Sequence, residues 1–180
     1  MQRKSFPSTQ RGFSLIEGCI TLAIVGILAG AAGPSFIESN KKRVLDGSVT
    51  EMATDLFLAR SEATAKQQGV RVSFHPVSSG SCMIVHTGTT ADCGCDSAGA
   101  AQCTNGAVLI KSNYFAASRG LSVAANVASI RFDPMHGMAS PAGTVRFTSS
   151  NGTAVHHVVN IMGRVRSCSP GGAAKGYKAC

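Results

Sequence analysis

The spacing of hydrophobic residues changes along this chain, and each change predicts a different structural element. Residues 18–37 contain no charged residue and are long enough to form about 30 Å of α-helix. Between residues 38 and 68, apolar residues recur every three or four positions among charged ones. This spacing predicts an amphipathic helix that packs on a core through Leu45, Val49, Met52, Leu56, Ala59 and Ala63.

From Val70 onwards the hydrophobic period becomes two, which is typical of half-buried strands. Turns rich in Gly, Ser, Asn and Pro separate the segments at intervals typical of all-β packing. Residues 88–106 have little apolar content, so we expect a surface loop there. The predicted strands are 70–75, 82–87, 107–111, 129–133, 143–149 and 153–166. The pattern therefore predicts an α+β fold, with a long helix that bends near Pro34 and packs on a β-rich domain.

A short polar stretch precedes the apolar run. Residues 1–12 carry three cations, Arg3, Lys4 and Arg11, and no acid. A secretory signal peptide has the opposite order, with its cleavage site after the apolar core. The basic stretch would keep the N-terminus in the cytoplasm, so that the rest of the chain is exported. Hydropathy alone is equally consistent with a plain single-pass membrane anchor.

Glu17 argues against a plain anchor. A carboxylate one turn inside a membrane segment costs free energy unless it has a partner. Cleavage after Gly12 would give Phe13 a free amine four residues from Glu17. That amine could pair with Glu17 of the same chain or of a neighbouring subunit. A buried charge pair that forms only between stacked subunits would fix their register.

The segment GFSLIE at residues 12–17, followed by VGILAG and Pro34, resembles the class III signal and N-terminal helix of type IV pilins and pseudopilins. In the cleaved chain the acid is the fifth residue and the proline the twenty-second, as in that family. The resemblance implies cleavage by prepilin peptidase after Gly12 and methylation of Phe13. It also implies a single-pass inner-membrane protein with a periplasmic domain, which assembles with other pilins into a pilus at the cell surface.

A second similarity narrows the family. LARSEA at residues 58–63 and VRV at residues 70–72 resemble the GspH/FimT-type minor pilins, whose helix is followed by two packed β-sheets. The similarity covers nearly the whole chain, more loosely between residues 75 and 140. The implied organisation is a cleaved leader, a transmembrane and assembly helix, an amphipathic helix half, and a β-rich extracytoplasmic domain of two antiparallel sheets with a basic C-terminal loop. These parts correspond to residues 1–12, 13–37, 38–68 and 69–180.

Charge is distributed unevenly along the chain, whose formal net charge is +8. Residues 13–96 hold six Lys/Arg and eight Asp/Glu, whereas residues 97–180 hold eight Lys/Arg and a single acid, Asp133. This asymmetry suggests an anionic partner for the C-terminal half.

Six of the seven cysteines lie beyond the apolar run, which contains Cys19. An even set of cysteines in an exported domain predicts disulfides. The candidates are Cys82, Cys93, Cys95, Cys103, Cys168 and Cys180. Cys93 and Cys95 are too close in sequence to pair with each other, so Cys82 and Cys103 are candidate partners for them or for one another.

A zinc site is the alternative use of Cys93, Cys95, Cys103 and the nearby His86. The Cys-x-Cys spacing lacks the paired two-residue knuckles of structural zinc sites, and exported thiols tend to oxidise. We therefore expect disulfides and no metal.

The segment GRVR at residues 163–166 carries the clearest binding signal. On a strand, Arg164 and Arg166 would share one face about 7 Å apart, a spacing at which guanidinium groups can bind successive phosphates. Lys175 and Lys178 follow without an opposing acid, and a Cys168–Cys180 disulfide would hold them in a 13-residue loop.

The alternative interpretation is a solvated basic tail that keeps the protein soluble. The Gly-Arg-x-Arg pattern, with Gly163 as its first residue, resembles the C-terminal motif of FimT-type pilins, which bind DNA during uptake for natural transformation. The resemblance favours sequence-independent DNA binding. Few aromatic residues flank the site, and Tyr177 alone could stack on a base.

Enzymatic activity is not expected, because the sequence has no nucleophile elbow, metalloprotease helix or phosphate-binding glycine loop. His156 and His157 alternate faces on a predicted strand, so they cannot converge on one ligand, and no cofactor is expected. We predict a minor type IV pilin that binds DNA for natural transformation. Two alternatives remain: a minor pilin that primes pilus assembly, and a GspH-like pseudopilin of a type II secretion system.

Overall fold

The computed structural model describes residues 12–180, without the side chains of residues 31–34. The predicted leader, with Arg3, Lys4 and Arg11, therefore lies outside the described residues apart from Gly12. The side chain of Pro34 also lies outside them, and the bend that we expect near Pro34 stays a prediction.

The chain divides into two compact units, and the first ends at Ser39. Its described part contains the start of helix α1 (Leu15–Ala65), where Ser14 accepts backbone hydrogen bonds from Glu17 and Gly18. Large apolar side chains such as Leu22 (73% exposed) and Leu28 (64% exposed) face outwards here. By length and composition this part of the helix can cross a membrane, with a mean hydropathy of 2.1.

The second unit comprises residues 40–180, into which α1 continues as far as Ala65. The predicted apolar stripe is confirmed, because its six residues are at most 2% exposed: Leu45, Val49, Met52, Leu56, Ala59 and Ala63. The helix ends three residues earlier than expected, and Gln67 in the following turn has a positive φ of 50°. The stripe packs on the β-rich domain, as the period of 3.6 predicts.

Twelve strands follow the helix in the described part of the chain, with short 3₁₀ turns at Ala117–Arg119 and Pro170–Gly172. The strands are β1 (Val70–Val77), β2 (Gly80–Thr87), β3 (Cys93–Cys95), β4 (Ala101–Cys103), β5 (Leu109–Ala116), β6 (Leu121–Ala125), β7 (Ser129–Phe132), β8 (Ala139–Ser140), β9 (Gly143–Ser149), β10 (Ala154–Val159), β11 (Val165–Ser169) and β12 (Lys178–Ala179).

The strands form two five-stranded sheets, which confirms the expected α+β architecture. Sheet 1 has the order β5-β2-β1-β7-β8, and sheet 2 has the order β12-β11-β10-β9-β6. The pairs are antiparallel except for β11 with β12, and β3 and β4 form a separate small hairpin. Fully buried side chains of both sheets share one core with α1, including Phe132 of sheet 1 and Phe147 of sheet 2.

Several strand predictions need correction. Residues 153–166 do not form one strand, because a turn at residues 160–164 separates β10 from β11. The strand predicted at 107–111 is displaced, since β5 begins at Leu109 and continues to Ala116. The pattern also missed short strands with few large apolar residues, namely β3, β4, β6, β8 and β12.

A buried ion pair joins the helix to sheet 1. Asp55 on α1 is fully buried, and the Lys111 Nζ of β5 lies 2.6 Å from its Oδ1. The Asn113 amide donates to the other carboxylate oxygen of Asp55. Burial raises the pKa of Asp55, while the hydrogen bond from Lys111 acts in the opposite direction. Because both oxygens of the buried carboxylate have partners, this contact fixes the position of the helix on the edge strand.

Two buried histidines have hydrogen-bond partners that suit neutral rings. A carbonyl oxygen can only accept, so the His86 Nδ1 donates to the Thr87 carbonyl at 2.7 Å; its Nε2 lies 2.8 Å from the hydroxyl of Ser73, which can donate to it. In the same way the His157 Nε2 donates to the Val49 carbonyl at 2.7 Å. Burial lowers the pKa of both histidines from 6.5.

These histidines predict that the domain loses stability in weak acid. Below about pH 6.5 the unfolded chain takes up protons that native His86 and His157 do not bind. The free energy of unfolding should fall with decreasing pH, by up to about 1.4 kcal/mol per pH unit for each histidine. Every buried side chain of the described chain lies within residues 40–180, so this segment contains the whole core. Urea denaturation of residues 40–180 between about pH 7 and 5 measures the effect.

The matched comparison is His157→Asn against His136→Asn, because the His136 side chain is 71% exposed. His157→Asn should make the fall in unfolding free energy with decreasing pH shallower, and substitution of the exposed His136 by Asn should not. A free energy of unfolding that stays constant over this pH range in the unaltered domain would contradict the neutral assignment.

Candidate nucleic-acid interface

The GRVR segment lies at the tip of the β10–β11 hairpin. The Asn160 amide donates to the Arg164 carbonyl (3.1 Å), and the Gly163 amide donates to the Asn160 carbonyl (2.9 Å). The Asn160 side-chain oxygen accepts a further bond from the Arg164 amide (2.9 Å). Arg164 therefore precedes β11, whereas Arg166 lies within it, so the expectation that both lie on one strand was wrong. Asn and Gly three residues apart were a turn signal that sequence reasoning missed.

Gly163 allows this hairpin to pack closely on the rest of the domain. Its φ is +70°, a conformation that favours glycine, and a Cβ here would overlap the Gly137 carbonyl oxygen in the turn between β7 and β8. The Ala139 amide donates to the Ile161 carbonyl at 2.9 Å. Arg60 of α1 donates to the Gly163 carbonyl at 3.4 Å. Helix, turn and hairpin thus hold the two arginines in a defined place, with both side chains exposed.

Strand register places Arg166 on the outward face of sheet 2. Arg166 lies opposite Val158 of β10, which lies opposite Thr144 of β9. The inward neighbours on β10, Val155 and His157, are fully buried. The outward face of the sheet is therefore the solvent-exposed one.

A second row of residues crosses the same face. Lys178 of β12 is aligned with Cys168, Cys168 with His156, and His156 with Arg146 of β9. Arg146 and Lys178 are both exposed. Sequence reasoning missed Arg146, although the alternation in GTVRFTS predicts that it faces away from the core.

No carboxylate neutralises these cations within the part of the chain that the structure describes. The ion pairs found there join Lys66 to Glu62, Lys111 to Asp55, and His136 to Asp133. The predicted cations Arg164, Arg166, Lys175 and Lys178 are all exposed and do not take part in these pairs. Arg146, Arg166 and Lys178 therefore make the outward face of sheet 2 positively charged, and Arg164 and Lys175 add exposed charge in the hairpin turn and the tail.

The C-terminal tail is fixed against the domain by several contacts. A disulfide joins Cys168 to Cys180, and Ala174 is 5% exposed in the core. The Tyr177 hydroxyl donates to the Asp46 Oδ1 of α1 at 3.2 Å. Burial and the neighbouring Asp46 raise the pKa of Tyr177 to about 12. Because its ring packs against the core, Tyr177 is not available to stack on a base, and that expectation was wrong.

The other two disulfides hold the β3–β4 hairpin. One joins Cys82 of β2 to Cys95, and the other joins Cys93 to Cys103. All three cysteines of the alternative zinc site are therefore in disulfides. Cys19 is the free cysteine among residues 12–180.

Two regions of the chain match models of known protein families. Residues 48–163 match the family model described as Type II transport protein GspH, and residues 7–33 match the prokaryotic N-terminal methylation motif. No curated protein matches the chain.

Two crystal structures of the type IV minor pilin FimU of Pseudomonas aeruginosa are similar in fold. For the P21 form the TM-score is 0.53 at 14% identity, and the match covers 72% of this chain and 94% of the chain in that crystal structure. The P65 form gives 0.52 at 13% identity and covers 71% and 98%. At this identity the likeness shows the fold alone.

The close packing of Gly163 predicts a large effect of adding a methyl group there. Gly163→Ala should lower the free energy of unfolding by more than Gly152→Ala, measured by urea denaturation of residues 40–180. Both glycines have positive φ, so each substitution costs about 1–2 kcal/mol in backbone strain. At Gly152 nothing lies within 4 Å of the added Cβ, whereas at Gly163 it displaces the backbone of Gly137. Equal losses in the two variants would show that the hairpin is not docked as described.

Proposed function

The chain belongs to the GspH family, and from that premise we propose that it is a minor type IV pilin that binds DNA. It binds without sequence preference at the pilus, for uptake in natural transformation. The family is one of structural pilin subunits, which agrees with the long N-terminal helix and the two-sheet domain. The observation that carries the proposal is the exposed, unneutralised set of cations on the hairpin and tail.

The arrangement suits recognition of a phosphate backbone. Arg164 and Arg166 are exposed on a hairpin that packs on the domain, and guanidinium groups bind phosphate oxygens in a bidentate geometry. Lys175 and Lys178 add charge from a tail that a disulfide and a buried alanine hold in place. Contacts to phosphates carry no base information, so the binding is indifferent to sequence.

The lack of a stacking platform supports backbone recognition as well. Single-stranded nucleic acids are commonly bound by stacking bases on exposed aromatic rings. On the outward face of sheet 2, the described residues include no aromatic side chain other than the half-buried His156. Double-stranded DNA, which offers two phosphate backbones, fits this surface better than a single strand does.

The N-terminal region accounts for processing and assembly into the pilus. We propose that prepilin peptidase cleaves after Gly12 and that Phe13 becomes the methylated N-terminus, in keeping with the matched methylation motif. The apolar part of α1 anchors the protein in the inner membrane with residues 69–180 in the periplasm. The Glu17 side chain is exposed, so it can pair with the terminal amine of a neighbouring pilin during assembly.

A pseudopilin of a type II secretion system is the second candidate, because the matched family model carries that description. A minor pilin that primes pilus assembly is a further structural alternative, in which the basic surface contacts another subunit. Deletion of the gene distinguishes them. Loss of transformation with intact pili supports the DNA role, loss of pili supports priming, and loss of protein secretion supports the pseudopilin.

Replacement of both hairpin arginines should remove most DNA binding. Arg164→Ala with Arg166→Ala should weaken the affinity of residues 40–180 for a random-sequence duplex at least about tenfold at low salt, because two phosphate contacts are lost. Fluorescence anisotropy measures the affinity, and thermal denaturation checks that the fold is intact.

The charge-matched control is Arg119→Ala with Arg131→Ala. Both residues are exposed, and they lie in the 3₁₀ turn before β6 and on β7 of sheet 1. The control should retain its affinity. If the hairpin variant binds as well as the unaltered domain, the proposed site is wrong.

A further inference from the structure

We propose that Arg146 is a third phosphate-binding arginine, so that the DNA-binding surface is the outward face of sheet 2 and extends from the hairpin across to β9. The inference rests on the proposed function, which assigns DNA binding to Arg164, Arg166, Lys175 and Lys178 and gives Arg146 no role. It follows from strand register, which brings Arg146 onto the same face as Arg166 and Lys178.

The register sets the dimensions of this surface. Arg146 and Arg166 lie on strands separated only by β10, which is about 10 Å across the sheet, and they are offset by two residues or about 7 Å along it. Their Cα atoms are therefore roughly 12 Å apart. Lys178 lies three strand spacings, or about 14 Å, from Arg146 in the same row. Cations with this separation can contact phosphates on both sides of a groove of double-stranded DNA.

The side chains between the cations are short enough to let a duplex approach the sheet. The residues that separate Arg146 from Arg166 in the register are Thr144, Val158 and His156. None of these side chains is longer than a histidine, and Val158 is 37% exposed. A duplex can therefore approach the sheet without displacing a bulky side chain, and the threonine hydroxyl can donate to a phosphate.

Arg146 is also free to bind an anion. It is exposed, and it takes part in none of the ion pairs among the described residues. Its cross-strand neighbour is His156, and burial together with the charge of Arg146 lowers the pKa of that histidine. An imidazole carries no negative charge in either protonation state, so His156 does not neutralise Arg146.

The other outward-facing arginines of the sandwich are arranged differently. On sheet 1, Arg71 and Arg131 lie opposite one another. Arg71 donates to the Ser129 hydroxyl at 2.8 Å, so its guanidinium already has a partner. Arg131 lies against Gly69 in the turn after α1. Arg131 is exposed on a strand of the other sheet, which makes it the matched control for Arg146.

The experiment compares Arg146→Gln with Arg131→Gln in residues 40–180, which contain the whole core. Binding of a short random-sequence duplex is followed by fluorescence anisotropy at several salt concentrations. Arg146→Gln should weaken binding about three- to tenfold and make the slope of log K against log salt shallower by about one. Arg131→Gln should change neither quantity, and Arg146→Lys should retain most of the affinity because it keeps the charge.

The outcomes separate this inference from the function on which it rests. Unchanged binding by Arg146→Gln, or an equal loss in Arg131→Gln, would overturn the role of Arg146. If either result accompanied a large loss in the Arg164→Ala, Arg166→Ala variant, the proposed function would stand without the extended surface. Absence of DNA binding by the unaltered domain would overturn both.

Discussion

The packing of one helix stripe on the two sheets is the contact on which the rest of the domain depends. Leu56 and Ala59 are fully buried at its centre, and side chains of both sheets meet them in a single core. The same helical segment also makes polar contacts with four other parts of the domain. These contacts are Asp55 with Lys111 of sheet 1, the Val49 carbonyl with His157 of sheet 2, Asp46 with Tyr177 of the tail, and Arg60 with the Gly163 carbonyl of the hairpin.

This arrangement explains how a small domain can present a fixed basic surface. Helix α1 is hydrogen-bonded to both the hairpin and the tail, and the Cys168–Cys180 disulfide links the tail to β11 of sheet 2. When the backbone that carries the cations is already fixed, little conformational entropy is lost as an anion binds. Less of the electrostatic attraction is then offset, and the binding free energy is more favourable. For the proposed function, a charged surface without base contacts allows the pilin to bind any DNA sequence that it meets.

Local patterns in the sequence predicted the parts of the structure that local physics determines. The stripe on α1 follows from a period of 3.6, and β9 follows from strict alternation around Phe147. The β10–β11 turn was missed because apolar residues flank Asn160 and Gly163 on both sides. The whole segment therefore resembled one long strand, although these two residues form its turn. Arg146 was missed because the pairing of separate strands creates its neighbourhood, and Tyr177 because its partner Asp46 is 131 residues away in sequence. Such contacts depend on which strands and segments pair in the folded chain, and the spacing of residues along one sequence does not show this.

The most direct test of the central claim is the salt dependence of DNA binding by residues 40–180. With three to five phosphates neutralised, log K should fall linearly with log salt, with a slope of about −3 to −4.5. The slope should be the same for duplexes of unrelated sequence, measured between about 50 and 200 mM salt. A slope near zero, or an affinity that depends strongly on base sequence, would contradict the assignment of the basic face as a phosphate-binding surface.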